Sequence, residues 1–274
     1  MKKNKSILQT IFLASLLFLF LFPIFVMINS SLLTYNDLIT WPPKWFKEFH
    51  FENYREVITG RKSILLPFIN SLQISTITMI LCVIIGLLAS YSVTRFNFIG
   101  KKIFLLTMLL TQMFSSILLI GPMYVCFREL NLLDTKFALI VSSTATSLPM
   151  TIWLLYAYFS QIPIDYEEAS FMDGSSRLQA IFHIILPIAF PGIMTAGLFA
   201  FIASWGDLMF AKTFITSPHL RTISLALTDF RDLYKTTWET QMAASVLTSL
   251  PPFLIFLFIQ KHLIRGLSQQ GVKG

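Results

Sequence analysis

The sequence predicts an all-α polytopic membrane protein with six transmembrane helices, in a single domain over residues 1–274. Of its 274 residues, 55% are hydrophobic and only 13% are charged, about half the charged share of a soluble domain. Six stretches without Asp, Glu, Lys or Arg are each long enough to cross a bilayer, which takes roughly 20 apolar residues of helix. The basic residues behind the net charge of +7 gather beside those stretches, as Lys and Arg do at membrane edges. Together these exclude a soluble enzyme, a disordered chain and a nucleic-acid binder.

The first span covers 7–33. Lys2, Lys3 and Lys5 precede it as in a signal peptide, but the run is too long for a signal h-region and no small-x-small site follows, so it reads as a retained helix. The others cover 63–94, 103–127, 137–164, 178–206 and 240–260. The fifth begins as an interfacial helix and enters the bilayer near Pro187. Pro23, Pro122, Pro149, Pro187, Pro191, Pro251 and Pro252 predict kinks and helix ends, because neighbouring helices can satisfy the carbonyls that proline frees. The N-terminal lysines belong in the cytoplasm, so six spans put both termini there. Arg95, Lys101, Lys102, Arg177, Lys261, Arg265 and Lys273 share that side. Two long external segments follow, 34–62 and 212–239. Trp41, Pro42, Pro43, Lys44 and Trp45 in the first suit an interfacial anchor better than a ligand site.

No ionisable group lies near the middle of a span, which argues against proton-coupled transport. The spans carry hydroxyls and amides instead. Ser71, Ser75, Thr78 and Cys82 share a helical face near Asn70 and Gln73, and Ser142, Ser143, Thr144, Thr146 and Ser147 precede Pro149. Asn70, Ser71, Ser75, Ser143, Thr146, Trp205 and Asp207 are therefore candidates to line a pathway for an uncharged hydroxylated solute. Helix packing, which also favours small polar residues, is the competing reading. Cys82 and Cys126 read as buried packing residues, and His50, His183, His219 and His262 show no metal spacing. Nucleotide-binding and catalytic motifs are missing, so energy for uphill transport would come from a separate chain.

The segment 163–180 is the most informative. Asp165 and Glu168 have the spacing of a capping box, and Asp165, Glu167 and Glu168 suit the first turn of a helix. Gly174 suits a left-handed helix end, and Ser176 with Gln179 forms a second capping box leading into the fifth span. Helix, glycine turn and helix make either a rigid knuckle that passes a partner's movement into the membrane or an ordinary amphipathic surface loop.

The run Glu168-Ala169-Ser170-Phe171-Met172-Asp173-Gly174, then nine residues, then Ile184-Ile185-Leu186-Pro187, resembles the EAA motif of binding-protein-dependent ABC importer permeases. It departs only at Ser170, where that family usually has Ala. Ala89-Ser90-Tyr91, Arg95-Phe96, Phe98-Ile99-Gly100-Lys101, Pro122-Met123-Tyr124, Leu148-Pro149, Ile162-Pro163, Ser204-Trp205-Gly206-Asp207 and the final Val272-Lys273-Gly274 are similar to the carbohydrate-uptake branch, most of all to maltose-type second permease subunits. Gly206 replaces the branch's usual Asn and suits a helix end.

The resemblance implies a type I ABC importer permease fold in a bacterial cell membrane. It implies a second homologous permease chain, two ATP-binding subunits, an extracellular solute-binding protein and a sugar substrate. ATP and Mg would be bound by the partner subunits, with no cofactor in this chain. Glu167, Glu168, Ala169, Ser170, Asp173 and Gly174 would form the coupling element. The tail 269–274 would either contact the ATP-binding dimer or fray. A permease for a non-sugar solute and, further off, a stand-alone secondary transporter are the rival readings.

Overall fold

The computed structural model describes residues 2–42, 45, 49–230 and 237–270, with side chains from 9 to 261. Among the described residues there is no strand. The helices are α1 (Lys2–Ser31), α2 (Tyr35–Ile39), α3 (Glu52–Thr59), α4 (Leu65–Arg95), α5 (Lys101–Met113), α6 (Ser116–Glu129), α7 (Lys136–Phe159), α8 (Asp165–Met172), α9 (Arg177–Ala180), α10 (Leu186–Trp205), α11 (Met209–Phe214), α12 (Ile223–Leu227) and α13 (Trp238–Gln270). Among the described residues, five segments are long and apolar enough to cross a membrane: Gln9–Ser31, Leu65–Arg95, Lys136–Phe159, Arg177–Trp205 and Trp238–Lys261.

The third span differs from expectation. The run 103–127 is two helices, α5 and α6, bent by 98° at a break. Phe114 is extended (φ −88°, ψ 131°), and the Ser115 side chain accepts the Ile117 N–H as N-cap of α6. A serine that satisfies an orphan amide makes a new helix start locally favourable even within an apolar run. Pro122, inside α6, breaks nothing.

The fifth span is one continuous helical segment from Arg177 to Trp205. A π turn over Ile181–Ile185 joins α9 to α10, and the Leu186 N–H reaches back to the Ile181 carbonyl. Pro187 follows with no N–H to offer, so widening the turn reorganises the carbonyls its ring would leave unpaired.

Residues group into two units, Met1–Leu66 with Ala226–Leu250, and Pro67–Leu225 with Pro251–Gly274. In the first, α1 carries apolar side chains all round, and Phe20 is 71% exposed, a surface suited to lipid or another subunit. Its end is held by Asn53, whose Nδ2 donates to the Ser31 and Leu33 carbonyls at 2.9 Å each, and by a 2.6 Å bond between the Ser31 and Tyr54 hydroxyls. Trp45 stacks on Phe25 with centroids 5.7 Å apart, while Trp41 is exposed. Pro43 and Lys44 of that cluster lie outside the described residues.

The second unit is built on α4, α7 and α10. Gly192 lets α10 pack tightly on α7: a Cβ there would sit 2.3 Å from the Tyr158 ring, so the site requires glycine. One apolar cluster gathers Ile74, Phe127, Leu139, Phe210 and Phe214; another gathers Tyr91, Phe159, Ile162, Ile185 and Ala189. Cys82 is buried as expected. Cys126 is exposed, because Phe127 is the only buried residue of α6. Residues 271–274 of the tail lie outside the described residues.

Candidate functional site

At the end of the second unit where α4 finishes and α10 starts, the 163–180 segment folds as helix, turn and helix. The turn closing α8 has two characteristic bonds: the Gly174 N–H reaches the Phe171 carbonyl and the Ser175 N–H the Ser170 carbonyl, both at 3.0 Å. That is a Schellman motif, and Gly174 takes φ 85°, where a side chain would be strained. The second capping box is complete: the Ser176 N–H donates to Gln179 Oε1 at 2.8 Å, and the Gln179 N–H to Ser176 Oγ at 3.4 Å. The first is not formed. Ile164 is the N-cap and makes no side-chain bond, so Asp165 is already helical and cannot cap. The three acids still occupy the first turn, where the helix dipole favours them.

Glu167 points inward and is 2% exposed. Tyr91 Oη donates to its Oε2 at 2.8 Å and Arg95 Nε to its Oε1. Arg95 Nη2 also donates to the Ile162 carbonyl at 3.1 Å. Buried charges persist only when paired and hydrogen-bonded, and here both conditions are met. Ser170 is buried too, its hydroxyl donating to the Glu167 carbonyl at 2.9 Å. The Arg177 guanidinium lies 4.9 Å from the Phe96 ring centroid and 5.7 Å from that of Phe171, a cation–π clamp over the same knuckle. Glu168, Ala169, Asp173 and Gly174 are exposed, and Met172 is 88% exposed. A groove of about 470 Å³ runs between Tyr166, Ala169, Ser170, Asp173 and Ile184.

A second feature lies where α10 ends. A cavity of about 620 Å³ is lined by Thr111, Gln112, Phe114 and Ser116 from the α5–α6 break, Ser143, Thr146 and Ser147 from α7, and Gly206 and Asp207 after α10. Thr146 Oγ1 donates to the Ser142 carbonyl at 3.0 Å. Asp207 Oδ1 accepts the Met209 and Phe210 N–H groups at 3.1 and 3.3 Å. Burial nevertheless pushes the Asp207 carboxyl up to about 6, outweighing those two amides, which pull it down. Gly206 ends α10 as its C-cap at φ −81°. Its glycine is not needed for the backbone, and a Cβ there would meet only the Ile202 carbonyl, at 3.4 Å.

Residues 82–269 match the family model described as "Binding-protein-dependent transport system inner membrane component". The chain belongs to this family. Among its relatives, the inner membrane ABC transporter permease protein YcjP of Escherichia coli is 32% identical over 267 residues, covering 96% of this chain and 94% of the relative. The trehalose/maltose transport system permease protein MalG of Thermococcus litoralis is 34% identical, covering 75% and 74%. The trehalose transport system permease protein SugB of Mycobacterium tuberculosis is 33% identical, covering 82% of each. In fold, the chain is similar to a bacterial ABC transporter that imports alginate, with a TM-score of 0.78 at 19% identity over 94% of this chain and 96% of that one. The molecule is thus a transport component of type I importer fold and not an enzyme.

In this permease the residues expected to couple fall into two sets. Glu168, Ala169, Asp173 and Gly174 face outward, whereas Glu167 and Ser170 are turned into the bundle. The expected pathway residues divide as well. Ser143, Thr146 and Asp207 line the cavity. Asn70, Ser71, Ser75 and Trp205 are buried in packing: Asn70 Nδ2 donates to the His219 and Arg221 carbonyls, Ser71 Oγ accepts the Ile223 N–H, and Trp205 stacks on Phe201 at 5.6 Å. Sequence reasoning passed over Thr111 and Gln112 at the broken span, although Thr111, Gln112, Ser115 and Ser116 form a polar interruption in an apolar run. It also passed over Asp134. That residue sits at φ 58°, accepts the Thr216 and Ser217 N–H groups at 3.0 and 2.9 Å and is bonded by the Ser217 hydroxyl. These bonds push its carboxyl down to about 2.

Proposed function

We propose that this chain forms half of the translocation pathway of an ATP-driven importer for sugars or oligosaccharides, in a bacterial cell membrane with both termini cytoplasmic. A second homologous permease supplies the other half, two ATP-binding subunits dock beneath, and an extracellular binding protein delivers the solute. ATP and Mg are held by the docked subunits, with no cofactor in this chain. The observation that carries this reading is the exposed face of α8: Glu168, Ala169, Met172 and Asp173 stand out from a short helix held to the bundle through Glu167 and closed at its C-terminal end by the Gly174 turn. Such a helix can seat in a partner's groove and move as a body when ATP closes the partner. The named trehalose and maltose relatives support a sugar substrate. So does the cavity, whose Thr, Ser and Gln groups can bond the hydroxyls of a neutral solute without charge.

Reconstitution with the ATP-binding subunits, the second permease and the binding protein tests the reading. ATP-dependent uptake of a di- or oligosaccharide is expected from the intact assembly. Glu168→Lys or Gly174→Pro should abolish it and weaken docking of the ATP-binding subunits while the chain still folds. Normal uptake by either variant would remove the coupling role of α8. Full activity of the purified chain alone would favour a secondary transporter, and uptake restricted to non-sugar solutes would retain the importer and discard the substrate.

A further inference from the structure

Glu167 sits in the EAA-like segment but is buried at 2% exposed, and Asn70 and Ser71 sit in a polar stripe but are buried in packing. All three act through α4. At one end of that helix, Tyr91 and Arg95 grip the Glu167 carboxylate of α8. At the other, Asn70 Nδ2 holds the carbonyls of His219 and Arg221 at 2.9 and 3.0 Å, and Ser71 Oγ holds the Ile223 amide at 2.8 Å. Between Asn70 and Arg95 the helix runs roughly 37 Å at 1.5 Å per residue, and proline occurs only at Pro67, in its first turn. Along the way Ser90 Oγ donates to the Ile152 carbonyl at 3.0 Å and Cys82 Sγ lies 3.8 Å from that of Thr144, tying α4 to α7.

We infer that α4 is a push-rod: it carries movement of α8 to the 216–223 loop at the far end of the bundle, with Glu167 and Asn70 as the positioning residues at its two joints. The physical ground is that side-chain bonds to backbone carbonyls and a buried ion pair resist sliding, whereas apolar packing alone permits it. A joint made of a charge-assisted bond at one end and a forked amide at the other transmits both push and twist. The inference rests on the proposed role of α8 as the coupling helix, and it adds a route and two residues.

The experiment uses the whole importer in proteoliposomes. In a Cys126→Ser background, which removes the exposed thiol and leaves the buried Cys82, the exposed His219 is changed to Cys and labelled with an environment-sensitive fluorophore. The unaltered joints should give an ATP-dependent fluorescence shift. Glu167→Gln and Asn70→Leu should each reduce that shift, and the solute carried per ATP, by about fivefold or more. Capture of the ATP-binding subunits should be unchanged. The double variant should be no worse than the more affected single, since a rod released at one end transmits nothing further to lose. Tyr91→Phe and Ser71→Ala, each deleting one hydroxyl, give smaller losses in the same two readouts if the larger changes impair folding. An undiminished shift in any folded joint variant, or a double-variant loss equal to the product of the singles, overturns the rod. Those outcomes leave ATP-dependent uptake by the parent intact; a parent without ATP-dependent uptake would overturn the importer reading itself.

Discussion

Glu167 and Asp207 are carboxylates drawn into the same bundle, and they are held in different ways. Glu167 meets a guanidinium and a phenol, whereas Asp207 meets two backbone amides on the rim of a cavity. The first arrangement fixes a charge and with it the position of α8. The second leaves a carboxyl whose proton affinity is raised by burial, to about 6. The contrast separates a residue locked in an ion pair from one that lines a cavity, although the sequence places both in candidate functional motifs.

The largest effect expected from breaking this contrast is at Arg95. Arg95→Ala strands the Glu167 charge in a site where both side chains are under a tenth exposed. Losing one partner of a buried pair costs about 3–5 kcal/mol, so the thermal transition of the purified assembly should drop markedly; an unchanged transition would mean the pair is not buried in the assembly. Asp207 comes next. Its carboxyl is raised to about 6 from an ordinary 3.8, so the folded chain holds a proton that the unfolded chain has released. Its contribution to stability is full below about 3.8 and is lost as pH rises to about 6. Asp207→Asn should flatten that slope in a pH series of melting curves and remove any step near pH 6 in uptake. Asp134 supplies the opposite sign: its stabilisation persists above 3.8 and fades as pH falls towards 2, a loss that Asp134→Asn should abolish in acid titrations.

Ser176→Ala should cost about 1 kcal/mol by removing an N-cap, visible as faster amide exchange in residues 177–180. Ser170→Ala should change stability by less than about 0.5 kcal/mol. The hydroxyl bonds within its own helix, and alanine is the residue the EAA motif usually carries there. A large loss from Ser170→Ala would mean that this hydroxyl serves the partner.

What could be read beforehand follows the range of the interaction. The capping box at Ser176 and the glycine turn at Gly174 are set by atoms within five residues of one another, and both are formed as the spacing predicts. Membrane-length helices are legible because bilayer thickness sets their length. The inward turn of Glu167 depends on Arg95, 72 residues away, and that same engagement accompanies the failure of the Asp165 capping box. The break at Phe114 and Ser115 has neither glycine nor proline to announce it, only a serine cap, so the third span reads as one run. The hydroxyl stripe of α4 was visible as a stripe, but the choice between pathway and packing turns on loop carbonyls about 150 residues downstream.

The π turn at Ile181–Ile185 also bears on how this family can vary in length. A wide turn takes up one extra residue while leaving the helix beyond it in phase. Removing one residue from that stretch can tighten it to an ordinary turn, with Ala189 still in the Phe159 cluster and Gly192 still against Tyr158. The same deletion a turn or two later would rotate every following side chain by about 100° and set Tyr158 against a side chain instead of Gly192. Length changes in the fifth span should therefore be accepted just before Pro187 and rejected after it.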